Sequence, residues 1–525
     1  MTTVRRTYLY LLAFAGLAML SIALANLAQV LIEVALQSPA VRAEGYVRDT
    51  ISLNAAAALV GLPAWLVHWW WIQRSARSDQ RERASTLRRL YVYVVLAAAM
   101  LIAASSADDS LRQAFGALTA VLASNPWLSV LRPVPFTAIG LVVWLAHWRL
   151  AQRDRVAVGE SGGSATLRRW YLYGLAFVGL VVLLAGTQGL AETLWHAAAS
   201  QPAQSALASL PPVAAGALIG LVVWLTHWAI LPARISEDAL TDDGASVLRS
   251  VYLFLALAVG VAGTLAGLSQ LLYYAVGRLL GVDHPGGVGG DLLQAAAGPA
   301  TIALVYGAAW AYQRYALRRQ ASAFSEAPRQ AGIRRLYTYL VSLFALAVLA
   351  SGVAGLLWTL ADVLFNPAAT ASGDGWRGQV ALFSTLAVVG LPVWLLHWRA
   401  TPAQDVEAVS LARRLYVYLS LIGAMLTLIG SLAAALYRVI ALGLGDTSRV
   451  SVLTDLAHAL AVATVAGIVA VYHWRVLRAD ARRTVAEAGP TEAKMVVEIR
   501  AADPAALQQA LSALQAGGVQ VKIVR

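Results

Sequence analysis

The sequence contains no cysteine and few charged residues. Asp, Glu, Lys and Arg make up 13% of its 525 residues, whereas soluble domains average about 25%. The absence of cysteine excludes disulfides, thiol nucleophiles, thiolate-bound iron–sulfur clusters and cysteine zinc sites. The low charge excludes an ordinary soluble protein, because 59% of the residues are hydrophobic and the mean hydropathy is +0.65.

Several catalytic patterns are also missing. The sequence has no His-Glu-x-x-His zinc motif and no nucleophile elbow. None of its apolar segments clearly carries the mid-membrane carboxylate that a proton-coupled transporter or pump needs. We therefore expect no catalytic residue, no metal and no cofactor, and we favour a protein that is not an enzyme.

What the sequence does have is a series of long apolar runs. A helix needs about 20 apolar residues to cross a hydrocarbon core of roughly 30 Å. Runs of this length recur along most of the chain, and twelve segments qualify. The sequence therefore predicts an all-α transmembrane protein of about 12 helices, with the lipid bilayer as its surroundings.

An internal repeat organises these runs. Six Arg-Arg-Tyr boxes begin alternate runs: RRTYLY (5–10), RRLYVY (88–93), RRWYLY (168–173), RSVYLF (249–254), RRLYTY (334–339) and RRLYVY (413–418). A Trp-His-Trp box follows each one after 50 to 60 residues: WLVHW (65–69), WLAHW (144–148), WLTHW (224–228), WAYQR (310–314), WLLHW (394–398) and AVYHW (470–474). Each unit crosses the membrane twice, so the six units are predicted to be parallel two-helix hairpins. Their boundaries are 1–78, 79–157, 158–238, 239–324, 325–403 and 404–478.

The basic residues indicate the orientation. Of the 40 Lys and Arg residues, 32 lie in the termini and in the connections between units, and the loops inside the units hold the rest. Lys and Arg concentrate on the cytoplasmic side of membrane proteins. The sequence therefore predicts a multi-pass protein of the inner (cytoplasmic) membrane with both termini and both kinds of box in the cytoplasm. The net charge of +12 is then explained by the Lys and Arg residues of the predicted cytoplasmic segments, and we expect no nucleic-acid partner.

The C-terminal segment differs from the repeats. A polar linker is predicted over 479–493, and residues 494–525 are predicted to form a small cytoplasmic β-α-β cap. Residues 494–500 and 519–525 alternate apolar and polar side chains as strands do. Asp503 is placed to cap the intervening helix, with Pro504 at its first position. Because two strands and one helix are marginal alone, we expect residues 494–525 to contact a second copy or a cytoplasmic protein.

The boxes carry the main candidate residues. Trp65, His68 and Trp69 share one helix face, and Gly61 lies two turns deeper on that face. One interpretation is a helix anchor, in which the histidine bonds to Tyr8 or Tyr10 among interfacial aromatics. The other is a b-type haem site, which uses histidine with small residues on its face. Gln313 replaces the histidine in the fourth copy and cannot serve haem iron, which favours anchoring. The predicted anchors are Tyr8, Trp65, His68, Trp69, Tyr91, His147, Tyr171, His227, Tyr337, His397, Tyr416 and His473.

A second candidate set consists of polar residues near the outer ends of the first helices. These residues could line an outward-facing cavity, since polar groups at membrane depth are functional candidates: Asn26, Asp108, Asp109, Arg112, Gln188 and Gln270. Alternatively the helix has left the hydrocarbon there, and Asp109 pairs with Arg112 among the headgroups. Glu33 and Asp362 lie further out and are expected to be solvated.

The paired boxes resemble a family of bacterial multi-span membrane domains catalogued as a domain of unknown function. The resemblance is closest at 334–339 with 394–399 and extends from residue 5 to about 475. It implies a membrane location and no chemistry. Three hypotheses follow: a non-enzymatic membrane scaffold or sensor, a transporter or channel with a polar lining around Asp108 and Asp109, and a haem or quinone redox protein.

Overall fold

The structure is a computed structural model that describes most of the chain. The described residues are 3–118, 126–199, 208–234, 246–285, 291–323, 328–366, 375–399, 410–444 and 449–487, together with 503, 505, 508, 509, 512 and 513. Within these ranges all regular structure is helical. In the described part of the chain, twelve helices are long and apolar enough to cross a membrane. The predicted all-α class and the predicted number of spans are thereby confirmed.

The twelve long helices are numbered in chain order. They are α1 (Thr3–Ala35), α2 (Tyr46–Ser78), α3 (Thr86–Leu118), α4 (Val134–Val158), α5 (Gly162–Ala199), α6 (Leu210–Leu225), α7 (Val247–Leu279), α8 (Ala297–Ala323), α9 (Pro328–Phe365), α10 (Gly375–Arg399), α11 (Leu411–Gly443) and α12 (Arg449–Glu487). A single π-helical turn, Thr226–Ile230, extends α6 through its Trp-His-Trp box.

Serine side chains start several odd-numbered helices. A serine three residues before the first arginine of the box accepts a hydrogen bond from that arginine's backbone N–H, which satisfies one of the open donors of the first turn. The pairs are Ser85 with Arg88 at 3.3 Å, Ser246 with Arg249 at 3.2 Å, and Ser410 with Arg413 at 3.4 Å. In these three pairs the helix start is thus set a fixed distance before the box.

Consecutive helices pack against each other along their length: α1 with α2, α3 with α4, α5 with α6, α7 with α8, α9 with α10 and α11 with α12. We call these helix pairs 1 to 6. Glycine permits close approach within them. A Cβ at Gly220 of α6 would lie 2.3 Å from the backbone nitrogen of Leu183 on α5. Such backbone-to-backbone contact is how membrane helices gain van der Waals energy without a hydrophobic driving force.

Lateral contacts connect neighbouring pairs in chain order. The odd-numbered helix of each pair packs against both helices of the next pair, as α1 does against α3 and α4, and as α9 does against α11 and α12. Among the described residues, the extensive helix–helix contacts all lie within one pair or between neighbouring pairs. The contact between two neighbouring pairs is called a junction below.

The C-terminal predictions are only partly covered by the described residues. Both predicted strands lie outside them. The oxygen Oδ1 of Asp503 accepts a hydrogen bond from the backbone N–H of Ala505 at 3.1 Å. The helix α12 continues to Glu487, so the first part of the segment predicted as a linker is helical. The sequence there is rich in helix-forming Ala, Arg and Glu, and Gly489 and Pro490 come only later.

Candidate functional site

The two kinds of box meet at one end of the helices. In five helix pairs the first tyrosine of the Arg-Arg-Tyr box faces the histidine of the Trp-His-Trp box of the same pair. The ring centroids are 5.6 Å apart for Tyr8 and His68, 5.8 Å for Tyr91 and His147, 5.2 Å for Tyr171 and His227, 6.3 Å for Tyr337 and His397, and 5.5 Å for Tyr416 and His473. This is the proximity that the anchor interpretation requires.

The histidines share one orientation. Each Nδ1 lies within hydrogen-bond distance of the carbonyl oxygen four residues earlier: 2.6 Å for His68, 2.9 Å for His147, 2.8 Å for His227, 2.8 Å for His397 and 2.9 Å for His473. A carbonyl only accepts, so Nδ1 carries the proton and Nε2 of the neutral ring is an acceptor. The Tyr171 and Tyr416 hydroxyls donate to Nε2 of His227 and His473, both at 3.0 Å.

The same tyrosines accept hydrogen bonds from the preceding helix pair. The first tryptophan of one Trp-His-Trp box donates from Nε1 to the first tyrosine of the next pair: Trp144 to Tyr171 at 2.7 Å, Trp224 to Tyr252 at 3.0 Å, and Trp394 to Tyr416 at 3.0 Å. At two junctions this completes a Trp–Tyr–His relay, through Tyr171 and through Tyr416. At these two junctions the relay connects a helix pair to the preceding pair, and it also connects the two helices of the pair to each other.

The aromatic residue two positions after the first tyrosine of each Arg-Arg-Tyr box contacts the next helix pair in the first five boxes. Its ring packs on the first tyrosine of the next pair, and we call this series the ring ladder. The centroid distances are 5.4 Å for Tyr10 and Tyr91, 5.6 Å for Tyr93 and Tyr171, 6.0 Å for Tyr173 and Tyr252, 5.4 Å for Phe254 and Tyr337, and 5.8 Å for Tyr339 and Tyr416. Phe254 shows that the ladder requires a ring and no hydroxyl. Sequence reasoning missed it, although the regular Tyr-x-Tyr spacing was the available signal.

The two irregular boxes contribute a different contact. Tyr312 and Tyr472 directly precede Gln313 and His473, where the other copies have aliphatic residues or threonine. Each accepts a hydrogen bond from the second tryptophan of the preceding box: Trp228 to Tyr312 at 2.8 Å, and Trp398 to Tyr472 at 2.6 Å. Gln313 occupies the buried histidine position beside Tyr252, but neither of its amide atoms makes a hydrogen bond of ordinary geometry.

The first junction has the same layout with an incomplete relay. Trp69 packs on Tyr91 and on His147, each with centroids 5.8 Å apart. Nε1 of Trp65, the Tyr91 hydroxyl and Nε2 of His147 are all buried, and none of them has a hydrogen-bond partner among the described residues. Tyr91 and Tyr171 are therefore matched positions that differ in their hydrogen bonding.

Buried ion pairs lie beside the boxes, and sequence reasoning missed them too. Arg88 donates from Nε to Oδ2 of Asp154 at 2.6 Å, and Arg413 donates in the same way to Asp480 at 2.7 Å. Both arginines are the first of their box. Both aspartates follow the box histidine by seven residues, and this shared spacing was a readable signal.

A second charged cluster connects helix pairs 2 and 3. Glu160 lies in the connection between α4 and α5, and its carboxylate is 2.9 Å from Nε of Arg168. The Tyr93 hydroxyl donates to the same carboxylate at 2.8 Å, and Arg89 lies 3.9 Å from it. Buried arginine at this end is therefore paired locally.

The haem interpretation meets a packing obstacle. The glycine face beneath the histidine is filled by the backbone of the partner helix: a Cβ at Gly61 would lie 3.0 Å from the nitrogen of Leu20, and one at Gly390 would lie 2.7 Å from that of Leu349. A porphyrin would need this space. No cluster of three or more metal-binding side chains occurs in the described part of the chain.

The candidate polar lining residues do not converge on one cavity. They bond within their own helix or pair: Asn26 to Asn54 at 3.0 Å, Gln188 to Glu192 at 2.6 Å, Gln270 to Tyr274 at 3.0 Å, and Arg112 to Asp108 at 2.5 Å. Arg112 thus pairs with Asp108, and the suggested pairing with Asp109, which is exposed, is wrong.

Two outer carboxylates expected to be solvated are instead paired. Glu33 is buried, accepts a hydrogen bond from the Tyr46 hydroxyl at 2.7 Å, and lies 2.9 Å from Nε of Arg132. Asp362 bonds to Nε2 of His458 at 2.8 Å. Charge counting along the sequence missed these partners because each lies on a different helix or loop.

Two apolar cavities occupy equivalent places in the repeat. One of about 160 Å³ lies between α1, α3 and α4, and one of about 360 Å³ lies between α9, α11 and α12. Their linings share offsets from the boxes. Phe14 and Leu343 follow the first tyrosine by six residues, and Val143 and Val469 precede the histidine by four. None of the candidate polar lining residues contributes to either cavity.

Comparison with protein families gives a match over most of the chain. The sequence profile of a domain of unknown function, DUF5671, matches residues 6–126, 110–208, 169–309 and 335–468. The first three matches overlap, and the last reaches from α9 into α12. No curated protein and no solved structure matches the chain.

Proposed function

The chain belongs to the DUF5671 family, a domain of unknown function, and we propose that it is a non-enzymatic membrane scaffold or sensor. In this proposal the six helix pairs are repeats of one hairpin unit, all parallel. Both termini and all the boxes lie on the cytoplasmic side of a bacterial inner membrane. Residues 494–525 form the β-α-β cap through which a cytoplasmic protein or a second copy is bound.

The observation that carries the proposal is the ring ladder. The same aromatic contact recurs at all the junctions, and relay hydrogen bonds reinforce several of them. Repeats that contact only their neighbours build extended structures whose stability sums over units and interfaces. A polar path for a substrate has no comparable support, because the candidate lining residues bond locally.

The contact pattern supports an open row of hairpins. Each helix pair contacts its predecessor and its successor, and the extensive contacts of the described residues do not connect pair 6 with pair 1. A closed ring would enclose a central cavity, whereas an open row presents a long surface. The open row therefore fits a scaffold better than a channel.

The orientation can be tested with single cysteines. Because the chain contains no cysteine, an introduced thiol is the only site for a membrane-impermeant maleimide. Arg77→Cys, at the end of α2, should react only after the inner membrane is opened. Arg48→Cys, in the first turn of α2, should react from outside in intact cells. The reverse pattern would contradict the proposed topology.

A distance measurement separates a scaffold from a transporter. Spin labels on the cytoplasmic ends of pairs 1 and 6, at Tyr8→Cys and Tyr418→Cys, should give one narrow distance in lipid nanodiscs. Labels at Tyr8→Cys and Trp170→Cys provide the matched shorter distance within the row. Two populated distances that respond to added solutes would indicate alternating access and would overturn the scaffold proposal.

A further inference from the structure

The ring ladder ends at two exposed tyrosines. Tyr8, the first tyrosine of the first box, is 55% exposed, and Tyr418, the second tyrosine of the last box, is 50% exposed. Their counterparts inside the row, such as Tyr416 and Tyr10, are 2% and 4% exposed. Among the described residues, no helix pair precedes Tyr8 and none follows Tyr418. The exposure therefore arises from position in the row.

The last helix pair carries most of the side chains that earlier pairs use to contact the next pair. We define the tail surface as Tyr418 and Trp474, together with the exposed apolar side chains Ile422, Met425 and Ile429 of α11. Trp474 is the second tryptophan of its box, and Trp69, Trp228 and Trp398 use that position to pack on the tyrosine of the next pair. On α1, the positions equivalent to the apolar stripe are Phe14, Leu17 and Ser21, which line the cavity shared with α3 and α4.

The first helix pair keeps the matching receiving surface. We define the head surface as Tyr8 and His68, whose rings are 5.6 Å apart in the edge-on arrangement that interior pairs also use. In interior pairs this tyrosine receives the ring of the preceding pair. The head surface is thus the same binding element, left open at the start of the row.

We propose that the tail surface docks on the head surface of a second copy of this chain. The joint would continue the ring ladder, with Tyr418 packed on Tyr8 and Trp474 beside it. The inference rests on the repeat arrangement proposed above, and its occupant follows from continuity with the five junctions within the chain. The contact joins two different surfaces, so it is head-to-tail and builds a closed ring or an open filament in the membrane.

One substitution makes this joint weaker than an internal junction. Ala470 stands where five copies have a tryptophan, and three of these tryptophans donate to the next tyrosine. The relay hydrogen bond to the Tyr8 hydroxyl is therefore missing, while the ring contacts remain. The joint between copies should consequently be reversible, in contrast to the junctions within one chain.

Cross-linking of single-cysteine variants tests the proposal. Tyr8→Cys and Tyr418→Cys proteins, mixed in lipid vesicles and treated with a short bis-maleimide, should form a cross-linked dimer that neither protein forms alone. A matched control is Trp170→Cys, which is 61% exposed beside Tyr171 but belongs to neither surface. When the Trp170→Cys protein is mixed with the Tyr8→Cys protein, the yield of cross-linked dimer should be only that of random collisions.

Each other outcome has a distinct meaning. Homodimers of either variant alone would show a two-fold interface and overturn the proposal. A cross-link within one chain carrying both cysteines would show closure of its own row and would also overturn it. A cross-link yield no higher than that of the Trp170→Cys control, together with no gain for Ala470→Trp in a chain that keeps both tyrosines, would show that the tyrosines face lipid headgroups and would overturn the proposal. Loss of the cross-link on deletion of residues 490–525 would assign assembly to the C-terminal segment.

A gain-of-function variant keeps the test independent of folding defects. Ala470→Trp restores the missing donor in a chain that keeps Tyr8. Since interhelical hydrogen bonds in membranes average about 0.6 kcal/mol, the dissociation constant of the joint, measured by energy transfer between labelled copies in lipid vesicles, should fall about threefold. Adding Tyr8→Phe should remove this gain, because the acceptor is lost. An Ala470→Trp gain that survives Tyr8→Phe would contradict the proposed contact. The maleimide labelling described above tests the proposed topology and does not depend on contact between copies. Failure of one proposal can therefore be distinguished from failure of the other.

Discussion

Tyr171→Phe tests whether the relay stabilises the membrane-embedded protein. Tyr171 is 5% exposed, and its hydroxyl accepts from Trp144 at 2.7 Å and donates to His227 at 3.0 Å. Phenylalanine keeps the ring of the ladder and removes only the hydroxyl. The substitution therefore leaves the indole N–H and the imidazole nitrogen buried without partners.

The expected loss follows from two hydrogen bonds. A buried polar group left without a partner costs about 1–3 kcal/mol in soluble proteins. Interhelical hydrogen bonds in membranes average about 0.6 kcal/mol and reach about 1.7, because a chain unfolded in the bilayer finds other partners. The membrane figures govern here, so Tyr171→Phe should lower the free energy of unfolding by about 1–3 kcal/mol.

The assay is equilibrium unfolding in mixed micelles with increasing SDS, followed by circular dichroism. Tyr91→Phe is the matched control, since Tyr91 has the same place in its box and the same 5% exposure, but its hydroxyl makes no hydrogen bond of ordinary geometry among the described residues. Its free energy of unfolding should stay within about 0.5 kcal/mol of the parent. In a Trp144→Phe background, Tyr171→Phe should cost less than it does alone. Equal losses for Tyr171→Phe and Tyr91→Phe would refute the reasoning.

Two further predictions concern packing and charge. Gly220→Ala should destabilise by about 1–3 kcal/mol in the same assay, because its Cβ would meet the α5 backbone at 2.3 Å; Gly174→Ala, with open space around it, should have little effect. Asp154→Ala should lower thermal stability in detergent strongly, because leaving the buried Arg88 unpaired costs about 3–5 kcal/mol of folding free energy. Asp49→Ala is the control at an exposed ion pair and should cost less than about 1 kcal/mol. Similar losses for a variant and its control would contradict the corresponding packing or pairing argument.

Much of the fold could be read from the sequence because the signals involved are local. Twelve apolar runs of membrane length predict twelve spans, whatever the spans pack against. The box spacing predicts that Tyr171 and His227 lie at one membrane depth, and the structure brings their rings to 5.2 Å. The two helices that carry such a tyrosine and histidine are consecutive in the chain, so equal depth alone nearly determines their contact.

The contacts between helix pairs could not be read in this way. The forward role of Tyr10, the partner of Arg88 and the burial of Glu33 all depend on which helix lies beside which. Hydropathy assigns a residue to a depth but not to a lateral neighbour, since every face of a membrane helix is apolar. The spacing shared by Asp154 and Asp480 was visible, but it acquires meaning only beside a buried arginine.

The sequence by itself determined the membrane class, the number of spans, the repeat and the position of the boxes at the helix ends. The tertiary structure decided that, in five boxes, the aromatic ring two positions after the first tyrosine packs on the next pair. It also decided that the glycine face beneath the histidine is filled by backbone and that the candidate polar lining is dispersed. The physical reason is that burial in lipid acts on each segment independently, whereas lateral order depends on the fit of side chains from helices far apart in the chain.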